Sequence, residues 1–375
     1  LRNGLEEIEE IEEIEEIEEI EEIEEIEEIE ENDMVQKDTN LRKDKILGLI
    51  IDTYISTAEP IASRAISKKL RMSLSSASVR NVMSDLEEQG LITHPHTSAG
   101  RIPTEKGYRH YIDKLMRASL LTEEEKRSVD KEFKSRTSEL NALLDKTSNV
   151  LSSITNQAGI VLLPFLQKSP FKHIELIRLG PNEILVVLIT SLGVTKDFVI
   201  SIDEDIPAQE ISRISNFINK YMGKYSLSDI RKEIMQRLIA EKDSFFYVLE
   251  QAKAIIDIML DIIKENRIYL DGRFHVTEQP EFESIEKMKN ILKRLEDKDF
   301  LFSLLKKVCD KEGPSIYIGS ELGVDFSECS LITCNYSIGD ASCGALGIIG
   351  PTRMEYGRLI SIVDYIATKL SGVLK

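Results

Sequence analysis

The chain has 375 residues, 42% of them hydrophobic and 30% charged, with four cysteines, no tryptophan and a formal net charge of −18. That length supports two or three domains with cores of their own, and no apolar run approaches the roughly 18 residues that a membrane span needs. The acidity does not exclude a nucleic-acid partner, because residues 1–33 hold 18 Glu, Asp33 and one base, Arg2, and so contain the whole excess.

The remainder carries 47 basic and 47 acidic residues, and within it residues 34–117 have 14 Lys and Arg against 9 Asp and Glu, a local +5. A basic excess confined to one segment is the footprint of a DNA-binding module. The first segment is an Ile-Glu-Glu repeat with isoleucines at 8, 11, 14, 17, 20, 23, 26 and 29. A three-residue step drifts around a helix without making a seam, and like charges at i, i+3 and i, i+4 repel. A solvated tail is expected. Because Met34 precedes an ordinary-looking start, MVQKDTNLRKDKILGLI, residues 1–33 are expected to arise from an upstream start or repeat slippage.

From Leu41 the pattern turns helical. Ile46, Ile50 and Tyr54 with Leu47, Ile51 and Ile55 form a stripe at i, i+4 spacing that ends at Thr57-Ala58-Glu59-Pro60. A short helix follows, with Ser63 as N-cap, Ala62, Ile66 and Leu70 inward and Arg64, Lys68 and Lys69 outward. After a turn at Arg71–Leu74, Ser75 is the N-cap of a third helix. Its apolar Val79, Val82, Met83 and Leu86 fall within about 100° of one another. Ala77, Arg80, Asn81 and Ser84 lie opposite, small or hydrogen-bonding side chains that suit entry into a major groove. Gly90 ends the helix as a C′ residue. Leu91–Ile92 and Ile102 read as the two strands of a β-ribbon, or wing, with residues 94–101 between them, and Thr104 caps a helix running through Tyr108, Tyr111, Ile112 and Leu115.

Residues 118–157 read as a polar connecting helix capped at Thr122. Strands are expected at 159–163, 173–179, 184–190 and 194–202, helices from 207 to 264 and from 282 to 310, strands at 315–318, 330–336 and 345–349, and a helix at 356–370. That order describes an α+β sheet domain, 158–206 and 311–375, split by a mainly helical insertion at 207–310.

Catalytic chemistry finds little support. No nucleophile, base and orienter set stands out. His94 and His96 have only His110 nearby and lack the ligand count of a zinc site. Cys329, Cys334 and Cys343 lack the paired spacing of a zinc ribbon, and Gly344, Gly347 and Gly350 do not form a dinucleotide fingerprint. No catalytic residue, metal or cofactor is expected.

SVRNVMSDLEEQGLI followed by PHTSAGRIPTEKGYRHYID (within 74–113) closely resembles the HrcA family of heat-inducible transcription repressors. The likeness continues through RIYLDG (267–272), PEF (280–282) and GALGIIGPTRMEYGRLISIVDYIA (344–367), and spans about Leu41 to Leu370. The family often has proline where this chain has Ser76. The resemblance implies a winged helix-turn-helix domain at 34–117, a GAF-like sensor domain and an inserted helical dimerisation domain. It also implies a cytoplasmic homodimer bound to an inverted-repeat operator, CIRCE, ahead of chaperone operons, and dependence on the chaperonin GroEL. The DNA-contacting residues expected are Ser63, Arg64, Ser75, Ser76, Ala77, Arg80, Asn81 and Ser84, with His96, Thr97, Ser98 and Arg101 on the wing. Arg80 and Asn81 are expected at base edges, and Arg101 and His96 at phosphate or the minor groove. The alternatives are a small-molecule-responsive regulator using a GAF-like pocket and an enzyme with a regulatory DNA domain.

Overall fold

A computed structural model describes residues 39–374 except 71–73, 96–99, 135–139, 164–170, 191–194, 223–224, 241–245, 264–267, 283, 308, 310, 312, 324–325 and 339–341. The acidic tail therefore lies outside the described residues. The chain divides into two compact units, up to Met116 and from Arg117 onward.

In the first unit helix α1 (39–57) turns Ile46, Leu47, Ile50 and Ile51 fully inward. It stops where Ala58 takes φ +56, and Ile61 then pairs with Arg101 in both directions, at 2.8 and 2.9 Å. That extended pairing delays the start of α2 (Ser63–Lys69), whose N-cap is Ala62 without a side-chain bond. Ser63 is thus the first residue of the helix and not its cap, and Ala62 is exposed instead of inward. Helix α3 (Ser76–Glu88) begins as its sequence predicts: Ser75 Oγ accepts from the Ser78 N–H at 3.0 Å. It buries Val79, Met83 and Leu86. Gly90, at φ +72, donates to Glu87 O, and Leu91 donates to Leu86 O, a Schellman ending. Strands β1 (Ile92–Thr93) and β2 (Ile102–Pro103) pair antiparallel. Thr104 caps α4 (Glu105–His110), which runs on as a wider turn, Tyr111–Leu115.

The second unit contains two sheets. In the larger, β3 (Ala158–Leu162), β7 (Ile268–Asp271), β8 (Ser315–Ile318), β9 (Cys329–Ile338) and β10 (Ser342–Pro351) are ordered β7-β3-β10-β9-β8, every pair antiparallel. Alternate side chains face opposite ways. Ala158, Ile160 and Leu162 join a core with α10 (Arg273–Thr277), α11 (Ile285–Glu296) and α12 (Lys298–Lys306), through Val276, Ile291, Leu295, Leu301 and Leu305. The other face is covered by α6 (Leu140–Thr155) and α13 (Tyr356–Val373). Gly159 sits where any side chain would strike the Ser148 carbonyl of α6. Helix α5 (Glu123–Phe133), closed by a Thr122–Glu125 capping box, is tied to α13 by Arg358–Glu125 at 2.7 Å and Lys369–Asp130 at 2.7 Å.

The smaller sheet, β4 (Phe171–Gly180), β5 (Glu183–Thr190) and β6 (Thr195–Ser201), lies in the order β4-β5-β6. It shares a separate core with α7 (Ala208–Met222), α8 (Leu227–Ala240) and α9 (Phe246–Ile263), built on Ile174, Val186, Leu188, Ile214, Ile230, Ile255 and Met259.

The chain order expected from the pattern is largely present, but the hydrophobic clusters divide elsewhere. Strands at 171–201 belong with the helices of 208–263, not with the large sheet, while 268–306 belongs to the large sheet and not to the insertion. Residues 118–157 form two helices, and α6 is no connector: Leu143, Leu144, Thr147, Val150 and Leu151 are buried against the sheet. Strands β4 and β5 bury one face whereas β3 and β9 bury both, and which helix covers a face is set by contacts distant in sequence.

Candidate nucleic-acid interface

Helix α3 presents Ala77, Arg80, Asn81 and Ser84 exposed on one side, about 100° of arc at 100° per residue, opposite Val79, Met83 and Leu86. The only carboxylate on that arc is Glu88, in the last turn, so the first two turns are the part a duplex could approach. Asp85 lies beside the arc and is engaged by Lys43 of α1 at 3.0 Å.

The N-terminal ends of α2 and α3 meet at Ser63 and Ser76, whose hydroxyls are 3.3 Å apart. Arg64 and Lys68 are exposed on α2. Lys69 is directed back into the unit, donating to Thr53 Oγ1 at 2.7 Å. Ser63, Arg64, Ser75, Ser76 and the α3 stripe are therefore brought together. His96, Thr97 and Ser98 lie outside the described residues.

Arg101, expected to reach phosphate, stands at the foot of the ribbon, where its guanidinium meets Glu87 at 2.7 Å and His94 at 2.6 Å. This group was not visible in the sequence, since its members come from the last turn of α3, the residue after β1 and the residue before β2. The ribbon is seated by Thr104, whose hydroxyl donates to the Gly90 carbonyl at 2.7 Å. Gly107 also seats it, at a point where a Cβ would collide with the Leu91 carbonyl oxygen. His110 pairs with Asp44 at 2.8 Å, and the Tyr111 hydroxyl donates to Asp52 at 2.7 Å. Burial, then that hydrogen bond and the Asp52 charge, push the Tyr111 phenol far above its ordinary range.

Of the cysteines, Cys329 is buried in the large sheet, and desolvation pushes its thiol well up, away from a reactive thiolate. Among the described residues no cluster of three or more His, Cys, Asp or Glu is placed to hold a metal ion, and no helix is long and apolar enough to cross a membrane.

Residues 141–360 match the family model described as the HrcA protein C terminal domain. A heat-inducible transcription repressor HrcA from Pelotomaculum thermopropionicum is 38% identical over 335 residues, covering 89% of this chain and 96% of that protein. The chain belongs to the HrcA family. A second HrcA, from Geobacter sulfurreducens, is 37% identical over 339 residues, covering 90% of this chain and 99% of its own length. A crystal structure of a hypothetical protein at 2.2 Å resolution matches with TM-score 0.56 and 23% identity, over 89% of this chain and 98% of that one, a likeness of fold. HrcA membership makes the chain a heat-inducible transcription repressor and not an enzyme.

Proposed function

We propose that the first unit is a winged helix-turn-helix module and that the chain represses chaperone operons by binding the inverted-repeat operator CIRCE. The observation that carries this reading is the exposed stripe Ala77, Arg80, Asn81 and Ser84 on a capped, rigidly seated α3 beside a β-ribbon. Arg80 and Asn81 are the side chains suited to base edges, Arg80 donating to both guanine O6 and N7, and Asn81 donating to adenine N7 while accepting from its N6 amino group. Ser63, Arg64, Ser75 and Ser76 suit phosphate positioning, with His96, Thr97 and Ser98 completing the contact from the wing.

A symmetric operator needs two heads on a two-fold axis. The support for a homodimer is the side of the β4–β6 sheet turned away from α7–α9. There Ile177, Leu185 and Val199 stand in register across the three strands, with Leu179 beside them, and Ile177, Leu179 and Val199 are 44%, 54% and 51% exposed. We assign 171–263 as the inserted dimerisation domain, and 140–163 with 268–374 as the GAF-like domain. A cytoplasmic location and reliance on GroEL to reach the DNA-binding state belong to the same proposal. Heat would divert the chaperonin to unfolded clients and so relieve repression.

Footprinting on the promoter of the organism's own chaperonin operon, with and without chaperonin, tests this reading. Protection of a symmetric site, strengthened by chaperonin, is expected. Lack of protection under both conditions would remove it.

A further inference from the structure

Glu87 is in the last turn of α3, His94 follows β1 and Arg101 precedes β2, so three separate stretches meet at one guanidinium. Arg101 Nη2 donates to Glu87 Oε2 at 2.7 Å and Nη1 to His94 Nδ1 at 2.6 Å. Because arginine can only donate, Nδ1 must be the accepting ring nitrogen. The ring proton is then on Nε2, the nitrogen that faces Glu87 Oε1 at 3.4 Å. The triangle closes through the two terminal guanidinium nitrogens, while the buried Arg101 Nε has no hydrogen-bond partner.

The backbone holds the same corner. Gly100 lies so close to Ile61 that a Cβ would be 2.5 Å from the Ile61 carbonyl carbon, and Arg101 pairs with Ile61 through both its N–H and its carbonyl. The Arg101 side chain is 19% exposed and that of Glu87 31%. Withdrawing the guanidinium toward a phosphate would strand a half-buried carboxylate, which opposes the move.

We propose that Glu87, His94 and Arg101 form a positioning clamp that sets the angle of the ribbon against α3, Arg101 acting through Glu87 and not by touching DNA. The proposal rests on the operator-binding reading and assigns Arg101 a different role within it. A clamp and a phosphate contact differ in salt dependence, because only the contact releases counterions.

The test is operator binding by the full chain, titrated by fluorescence anisotropy across a salt series well below the melting transition, with thermal melts in parallel. Arg101→Gln and Glu87→Gln are each expected to lower affinity about tenfold, the weight of one charge-assisted hydrogen bond. The double variant is expected to be no weaker than either single one, and the slope of log K against log salt should match the unaltered protein. If Arg101→Gln does not fold, Arg101→Met, equally uncharged, takes its place in the same cycle. A slope shallower by about 0.9 for the Arg101 variant alone would make Arg101 a phosphate contact and overturn the clamp. So would tighter binding by Glu87→Gln, or a lower melting temperature with unchanged affinity. No binding by the unaltered protein at any salt would overturn the operator reading itself, and the clamp with it.

Discussion

The side-chain amide of Asn219 on α7 stands in for a neighbouring strand at Ile174 of β4. Its Oδ1 accepts from the Ile174 N–H at 2.9 Å and its Nδ2 donates to the Ile174 carbonyl at 2.7 Å. The carbonyl has a second donor in Ser215 Oγ, at 2.9 Å, whereas the N–H depends on Asn219. An edge strand is thereby closed to further pairing at that point. Asn219→Leu should leave the N–H of a fully buried residue unsatisfied and cost about 1–3 kcal/mol. Urea unfolding followed at two wavelengths measures it. A change within a few tenths of a kcal/mol would show that the amide is dispensable.

Gly107 should tolerate no side chain. A Cβ there meets the Leu91 carbonyl, a backbone atom held in place by Thr104. Gly107→Ala is expected to cost about 1–3 kcal/mol as an overpacking change and to weaken operator binding by displacing the ribbon. Gly48→Ala, at a helical site with open space around it, is the control and should be neutral or slightly stabilising.

Arg80→Ala should erase discrimination between operator and random DNA by roughly 1–3 kcal/mol, the range of a bidentate base contact. Gel-shift titration on both DNAs measures this. Equal weakening on the two would reduce Arg80 to a backbone contact.

The α5–α13 contact should make stability acid-sensitive. The Thr122 backbone N–H, followed by the Arg358 and Thr122 side chains, holds the Glu125 carboxyl below its ordinary 4.5. Lys369 and Tyr365 likewise lower Asp130 from 3.8. Groups depressed in the folded state bind protons more readily once unfolded. Their stabilisation is therefore complete above the ordinary values and disappears as pH falls through the folded ones. Melting temperature should decline below about pH 4.5, and Glu125→Gln should flatten that decline. An unchanged profile in the variant would dissociate Glu125 from acid unfolding.

Ile177→Glu, on the open side of the β4–β6 sheet, should convert a homodimer to monomer by sedimentation while leaving the monomer folded. Operator affinity should fall with it, because two linked heads bind far more tightly than one. A dimer that persists would move the interface elsewhere.

Residues whose roles are local were legible in the sequence. Ser75, Thr104 and Thr122 cap the helices they precede, Gly90 takes the left-handed backbone that ends α3, and the period of α3 separates its buried face from Ala77, Arg80, Asn81 and Ser84. These follow from interactions within a few residues, so composition and spacing suffice. The family resemblance rested on the same local runs and is met by the relatives.

Only the tertiary structure decided which core each element joins. Alternation in β4–β6 says that one face is buried but not that α7–α9 bury it, and the four-residue β7 is a strand because it pairs with β3 far away in sequence. The same limit hid the surroundings of Arg101. Residue spacing shows a basic residue between two strands, and only the fold brings Glu87 and His94 within hydrogen-bonding distance of it. Partner choice in a sheet or an ion pair is a property of three-dimensional proximity, which residue spacing does not encode.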